Sequence, residues 1–321
     1  MPARLSLSLL LVVALTASAQ DFPTRPVTIV VPFSAGGPTD IVARQLAISM
    51  AKPLGQAVIV QNRPSSGGIV GAEFILQSPA DGYALMIHNI GMSTLPALHR
   101  ALRFNPLSDF DFVGQVVDVP MALVGKKDLP PEDFQQLKSW LDTNQRIANL
   151  GNAGPGTASH LCGLLFMSRL GTKITEISYK GVAPALNDLQ GGQIDLVCDQ
   201  TTTTAPLIRS GRVKVFGTTT RQRLVVLPEV PTLAEQGLES FEVSVWHGLY
   251  APKNTPKPIL DKLVSALQVA LVDPSFREAM IKLGAIVVSP DRASPEGLRK
   301  HLSAEIAKWT PIIRESGRYL D

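Results

Sequence analysis

Val27-Thr28-Ile29-Val30-Val31-Pro32-Phe33-Ser34-Ala35-Gly36-Gly37-Pro38-Thr39-Asp40 carries three kinds of local pattern in direct succession. A mostly apolar run stops at Pro32, a small glycine-rich loop follows, and a helical pattern begins near Pro38 or Thr39. Strand, glycine loop and helix N-terminus is the arrangement that gathers backbone amides around an anion. Gly36 and Gly37 let the chain bend and let a ligand approach with no Cβ in the way. Pro38 has no amide hydrogen, so any donors come from its neighbours. The same spacing also fits a plain strand-to-helix turn without a ligand. Asp40 reads as a first-turn acid favoured by the helix dipole.

Outward from this loop the chain reads β-α-β-α-β. Residues 27–31 form a strand, and residues 39–52 a helix with Ile41, Val42, Leu46 and Met50 at helical spacing. Pro53 and Gly55 end that helix. Residues 58–60 make the second strand, 69–77 the second helix and 84–87 the third strand. Asn62-Arg63-Pro64-Ser65-Ser66-Gly67-Gly68 is a second glycine-rich turn, and residues 88–92 follow the third strand as a loop.

The middle repeats the plan. Residues 147–150, 174–178, 194–197 and 213–216 read as strands, and 158–170, 184–190 and 203–209 as helices. Gly151-Asn152-Ala153-Gly154-Pro155-Gly156-Thr157 is the glycine loop of this second unit. Short apolar strands alternating with helices predict parallel sheet covered on both faces. Loops at the carboxyl ends of such strands are where open α/β sheets bind ligands, and two lobes facing each other enclose a cleft. Residues 241–250 read as a returning strand. Three helices, 258–272, 274–283 and 294–313, then rejoin the first lobe and make it discontinuous in sequence.

The N-terminus is basic at Arg4, apolar through Leu5 to Leu15, and ends in Ala17-Ser18-Ala19, the pattern of a cleavable secretory signal. Removing it leaves roughly 300 residues, enough for two domains. The net charge of +3 is small and no Lys/Arg block occurs, which argues against nucleic acid. The two cysteines, Cys162 and Cys198, are a candidate disulfide in an exported chain, or two separate buried thiols.

The polar candidates each have two readings. His88 and Asn89 end a strand at the presumed ligand edge, and Asn89 offers both donor and acceptor. The hydroxyls of Thr157 and Ser159 are placed to cap a helix or to bind a ligand. Asp199, at a strand end, is placed to receive a ligand ammonium or to act as a cap or hinge acid. The loop at Gly154 and Gly156 lacks the third glycine and the following acid of the dinucleotide fingerprint. No Gly-x-Ser-x-Gly elbow, His-Glu-x-x-His pair or Walker lysine motif is present, so no catalytic residue, metal or cofactor is expected.

Taken together, Pro32-Phe33-Ser34-Ala35-Gly36-Gly37-Pro38-Thr39-Asp40-Ile41-Val42-Ala43-Arg44 resembles the opening signature of the Bug receptors. These are the periplasmic solute-binding proteins of tripartite tricarboxylate transporters. Asn62-Arg63-Pro64, Gly67-Gly68, Gly71-Ala72 and Pro79-Ala80-Asp81-Gly82-Tyr83 are similar to its next blocks. Tyr179-Lys180-Gly181, Pro184-Ala185-Leu186-Asn187-Asp188-Leu189 and Gly191-Gly192-Gln193-Ile194-Asp195 resemble its second-lobe signature. Leu227-Pro228-Glu229-Val230-Pro231-Thr232 resembles a later one, so the likeness runs in order along the whole mature chain.

The resemblance implies an α/β, type II periplasmic-binding-protein fold with two lobes, a ligand cleft and a hinge. Residues 1–19 are then the signal peptide, 20–124 with 247–321 the first lobe, and 125–246 the second. It further implies a di- or tricarboxylate or acidic amino acid, held largely by main-chain amides and waters. That ligand set carries over to Phe33, Ser34, Ala35, Gly36, Gly37 and Asn89 in the first lobe. In the second it carries over to Asn152, Gly156, Thr157, Ser159 and Asp199. The stretches Ser159 to Gly163 and Cys198 to Thr202 look closest to the branch that binds aspartate-like amino acids.

The expectation is therefore a monomeric periplasmic receptor, not an enzyme, that delivers a small carboxylate to integral membrane transporter subunits. The rival is an exported α/β enzyme acting on a small carboxylated substrate through Ser159 or His160. A transcription-regulator effector domain would need a helix-turn-helix before residue 30, where the signal pattern lies.

Overall fold

The computed structural model describes residues 22–239 and 241–315; the expected signal peptide lies outside them. The opening stretch folds as read. The strand β1 (Val27–Val31), rich in β-branched residues, is largely buried and ends at Pro32. The helix α1 (Pro38–Leu54) turns Val42, Leu46 and Met50 into the core, and Gly55 closes it in the left-handed conformation. Pro53 lies inside its last turn rather than ending it.

The remaining first-lobe elements are β2 (Val58–Asn62), α2 (Ile69–Leu76), β3 (Ala84–Asn89) and α3 (Gly91–Leu98). The helix α3 corrects the expected loop at residues 88–92. Strand β3 runs on through His88 and Asn89, and helix starts again two residues later. Next come the long strand β4 (Phe110–Lys126) and helix α4 (Phe134–Asn144), where the sequence pattern suggested no element.

The second unit follows as β5 (Asn149–Asn152), α5 (Ala158–Leu170), β6 (Thr175–Ser178), α6 (Val182–Gln190), β7 (Leu196–Gln200), α7 (Thr201–Arg209) and β8 (Val213–Thr218). The chain returns through β9 (Ser244–Pro252) and closes with α8 (Lys257–Val272), α9 (Pro274–Lys282), β10 (Ile286–Val287) and α10 (Pro295–Glu315).

The strand order is β2-β1-β3-β9-β4-β7-β5-β6, with β8 and β10 also on β4. Within each lobe the βα units pair parallel, as β1 does with β2 and β3, and β5 with β6 and β7. The centre is antiparallel, which corrects the expectation of a parallel sheet: β9 runs against β3 and β4, and β4 against β7 and β8. A strand that leaves one lobe and another that returns must run in opposite directions, so the two crossing strands impose this pairing. Along β4, residues 110–120 pair with β9 and residues 121–126 with β7 and β8. The closing helices pack back on the first lobe, α8 on α1 and α10 on α3.

Cys162 of α5 and Cys198 of β7 are joined as a disulfide across the buried core of the second lobe, with Cα atoms 6.0 Å apart. No helix among the described residues is long and apolar enough to cross a membrane.

Candidate functional site

A small cleft, with a cavity volume of about 20 Å³, lies between the lobes. Its first-lobe wall is Phe33, Gly37, Pro38 and Thr39, where β1 hands over to α1, together with Asn89 at the end of β3. Its second-lobe wall is Ala153, Thr157, Ala158 and Ser159 at the start of α5, Val182 at the start of α6, and Asp199 and Gln200 at the end of β7. Four helices, α1, α5, α6 and α7, therefore begin at this one space. The first amides of a helix have no carbonyl within the helix to bond, and the aligned peptide dipoles make that end positive. Among the described residues, no Lys or Arg lines the cleft, and Asp199 is the one ionisable wall residue.

The loop ahead of α1 is held by Asp40. Asp40 accepts from the Gly36 amide at 2.9 Å, Arg44 Nε at 2.8 Å and Asn62 Nδ2 at 2.9 Å. Burial works to raise the carboxyl, but these bonds outweigh it and hold Asp40 below the usual carboxylate range. Gly36 sits at φ +76°, a conformation that glycine adopts without strain.

Beneath the first-lobe wall is a buried polar set. Asn89 Nδ2 donates to Thr39 Oγ1 at 3.2 Å, and Thr39 Oγ1 lies 3.2 Å from His247 Nε2. His88 does not line the cleft. Its ring stands edge-on to Phe33, with centroids 5.3 Å apart, and its Nδ1 accepts from the Asn89 amide. Burial pushes the His88 ring down to about 4, so it is neutral.

In the second lobe, Asp199 is fully buried and accepts from Thr203 Oγ1 at 2.6 Å. Desolvation pushes its carboxyl up to about 7, against the pull of Thr203 and the Gln200 amide. Ser159 Oγ accepts from the Ala153 amide at 2.8 Å, and Thr157 Oγ1 donates to the Gly154 carbonyl at 2.6 Å. Both hydroxyls therefore shape the loop while facing the cleft.

The geometry brings six of the expected ligand residues to the wall: Phe33, Gly37, Asn89, Thr157, Ser159 and Asp199. The other five are set back. Ser34, Ala35 and Gly36 form the loop behind Gly37, while Asn152 Oδ1 accepts from the Gly154 amide and Ser178 Oγ. The Gly156 carbonyl accepts from Thr94 Oγ1 of the opposite lobe. Thr39, Ala153, Ala158, Val182 and Gln200 join the wall without having been singled out. Thr39 and Ala158 stand at helix starts next to residues that were, and Gln200 directly follows Asp199. Nothing local marks Val182, which arrives by the packing of α6.

Among the described residues, no group of His, Cys, Asp or Glu is arranged to hold a metal ion. His160 Nδ1 accepts from the Gly156 amide at 3.0 Å and its Nε2 faces Glu176 at 3.3 Å.

The family described as "Tripartite tricarboxylate transporter family receptor" matches residues 42–318. A relative from Agrobacterium vitis, described as a UPF0065 protein in the TAR-I ttuE-ttuC' intergenic region, is 46% identical over 303 residues, 94% of this chain and 88% of its own. The solved structure of the periplasmic binding protein BugD matches with a TM-score of 0.90 at 44% identity, covering 93% of this chain and 99% of BugD. MatC from Rhodopseudomonas palustris, solved with bound malate, matches with a TM-score of 0.86 at 36% identity, covering 91% of this chain and all of the other.

Proposed function

We propose that this chain, which belongs to the tripartite tricarboxylate transporter receptor family, binds a small dicarboxylate between its lobes and hands it to integral membrane transporter subunits. As a member of that family it is a solute-binding receptor; the ligand class and the delivery are the proposal. One observation carries the ligand class: four helix N-termini converge on a cleft that, among the described residues, contains no lysine or arginine. Such a site holds carboxylates with backbone amides, and charge-assisted bonds of this kind contribute about 1.5–3 kcal/mol each. The malate bound to MatC supports a ligand of this size.

Asp199 narrows the class. A carboxyl poised at about 7 takes either a proton or a ligand cation, which fits a four-carbon acid bearing a hydroxyl or an ammonium beside it. The expected ligand residues Phe33, Gly37, Asn89, Thr157, Ser159 and Asp199 contact it directly in this reading. Ser34, Ala35, Gly36, Asn152 and Gly156 hold the loops that do. The first lobe comprises residues 20–124 and 247–321, the second 125–246, and β4 and β9 act as the hinge. Export to the periplasm through residues 1–19 is part of the proposal, and the Cys162–Cys198 disulfide supports an oxidising compartment.

Native mass spectrometry of the purified protein tests ligand and monomer together. The expected result is one chain plus the mass of a small di-acid. After stripping, succinate, L-malate and L-aspartate are screened by thermal shift, where stabilisation follows RT ln(1 + [L]/Kd). No shift with any of these, nor with tricarboxylates or aromatic acids, overturns the carboxylate reading.

A further inference from the structure

We propose that Thr203 of α7 is a positioning residue for Asp199: its hydroxyl turns between the Asp199 carboxyl and the Gln200 carbonyl, so that Asp199 meets the ligand either as a neutral acid or as an anion, and the site takes both plain and ammonium-bearing di-acids. This rests on the carboxylate reading of the cleft given above.

Asp199 is part of the cleft wall, whereas Thr203 is buried and stands off it. Asp199 Oδ2 lies 2.6 Å from Thr203 Oγ1, and the Gln200 carbonyl oxygen lies 2.8 Å from the same atom. Both contacts have hydrogen-bond length, but a hydroxyl has only one hydrogen to give. With Asp199 ionised, that hydrogen goes to Oδ2. The Gln200 carbonyl is not stranded then, because the Thr204 hydroxyl also donates to it, at 3.1 Å. With Asp199 protonated on Oδ2, the acid donates to Thr203 Oγ1 and the Thr203 hydrogen turns to the Gln200 carbonyl. Each charge state is thus fully bonded, and passing between them needs only the rotation of one hydroxyl.

The surroundings leave this choice to Thr203 and the ligand. The elements packed on β7 are β4, β5, α5, α6 and α7. Their titratable residues among those described are Asp111, Asp118 and Lys126 of β4, His160 and Arg169 of α5, Asp188 of α6 and Arg209 of α7. None of these acts on the Asp199 carboxyl, whose rise to about 7 comes from burial opposed by the Thr203 and Gln200 bonds. A buried carboxyl with no such donor is confined to its neutral form. The neutral form suits a plain di-acid, because an anion at this wall repels a ligand carboxylate. The ionised form suits a ligand ammonium, which replaces the lost proton as the positive partner. Preference for an amino di-acid over a plain one therefore rises with pH through the Asp199 midpoint. A bond to a charged group is roughly twice as strong as a neutral one, so loss of the Thr203 hydroxyl penalises the ionised form more.

Two readouts test this on the whole protein. The first needs no ligand: the carboxyl ¹³C shift of Asp199, identified by its loss in Asp199→Asn, is followed against pH. Thr203→Val is expected to move the midpoint up by roughly one pH unit, and Thr203→Ser to restore it. An unmoved midpoint in Thr203→Val overturns the proposal. The second compares L-aspartate with succinate by calorimetry on both sides of the midpoint. In the wild type the preference for L-aspartate is expected to rise with pH, and L-aspartate binding below the midpoint to release a proton to the buffer, as succinate binding does not. Thr203→Val is expected to lose about tenfold in L-aspartate affinity with succinate little changed. Equal losses for the two ligands, as a merely structural role gives, overturn the proposal, and so does binding of only one of them at every pH. If Thr203→Val does not fold, Thr203→Ala takes its place in both measurements. Failure of the wild type to bind any carboxylate sinks the ligand reading instead, and the unliganded titration still decides the role of Thr203.

Discussion

The Thr94 hydroxyl, on α3 of the first lobe, donates to the Gly156 carbonyl, in the loop before α5 of the second, at 2.8 Å with both groups buried. This bond exists only while the lobes are together. Thr94→Val removes the donor and leaves the carbonyl unpaired in the closed form, whereas water pairs it in an open one. The expected cost is about 1 kcal/mol, a roughly fivefold loss of affinity. Calorimetry is expected to show that loss and stopped-flow kinetics to place it in faster release, with the unliganded melting temperature nearly unchanged. A variant that binds as tightly as wild type would show that the bond has no part in closure.

Gly181 meets Ser34 across the same gap. It sits at φ +135°, and a Cβ there would stand 2.2 Å from Ser34 Oγ and 2.8 Å from the Ser34 amide nitrogen. The second of these is backbone and cannot move aside cheaply. Gly181→Ala is therefore expected to hold the lobes apart and to weaken ligand binding more than Ser34→Ala does. Small-angle scattering with saturating ligand reads the outcome: compaction equal to wild type contradicts it.

The buried titratable groups make stability depend on pH in two opposing ways. His88 and His247 are held down at about 4 and about 3 against an ordinary 6.5. As pH falls through 6.5 the unfolded chain takes up protons that the fold refuses, so stability is lost on acidification. Asp199 runs the other way. The fold keeps its proton up to about 7, whereas the unfolded chain releases it near 3.8, so this group costs stability as pH rises across that window. Two histidines against one carboxyl leave a net loss toward acid. Asp199→Asn removes the opposing group and is expected to steepen that loss, read as denaturant midpoint against pH. An unchanged slope would mean that Asp199 is ionised in the fold.

The Cys162–Cys198 disulfide closes a loop of 36 residues within the second lobe. In the chain-entropy account a loop of this size contributes about 4 kcal/mol by restricting the unfolded chain. Reduction, or the double substitution Cys162→Ala with Cys198→Ala, is expected to lower the urea midpoint markedly. Binding at saturating ligand should survive, since neither sulfur reaches the cleft wall. Equal midpoints with and without reductant would count against a bonded pair.

Much of each lobe was legible in sequence because its signals are local. The helix α5 spans the residues 158–170 read from the sequence, and β1 stops at Pro32, since these depend on neighbours a few residues away. Strand β4 was not legible. It is buried along almost its whole length and contains Gly114, Pro120 and Gly125, so it shows neither alternation nor an unbroken apolar run. Helix α3 was hidden by Gly91 and by Pro96 within it, two residues that locally argue for a loop.

The site divides in the same way. The sequence by itself determined that two glycine loops, at Ser34 to Gly37 and Gly151 to Thr157, each end a strand and start a helix, because strand, turn and cap chemistry is written in consecutive residues. It also marked Asn89 and Asp199 as polar groups at strand ends. Only the tertiary structure decided that four helix starts share one cleft, that Gly36 and Gly156 stand behind the wall, and that His247 comes within 3.2 Å of Thr39 from a strand 208 residues away. Those relations come from the antiparallel crossing of β4 and β9 and from the register of β9 on β3. Pairing between distant segments depends on which faces bury together, and no short stretch of the chain contains that information.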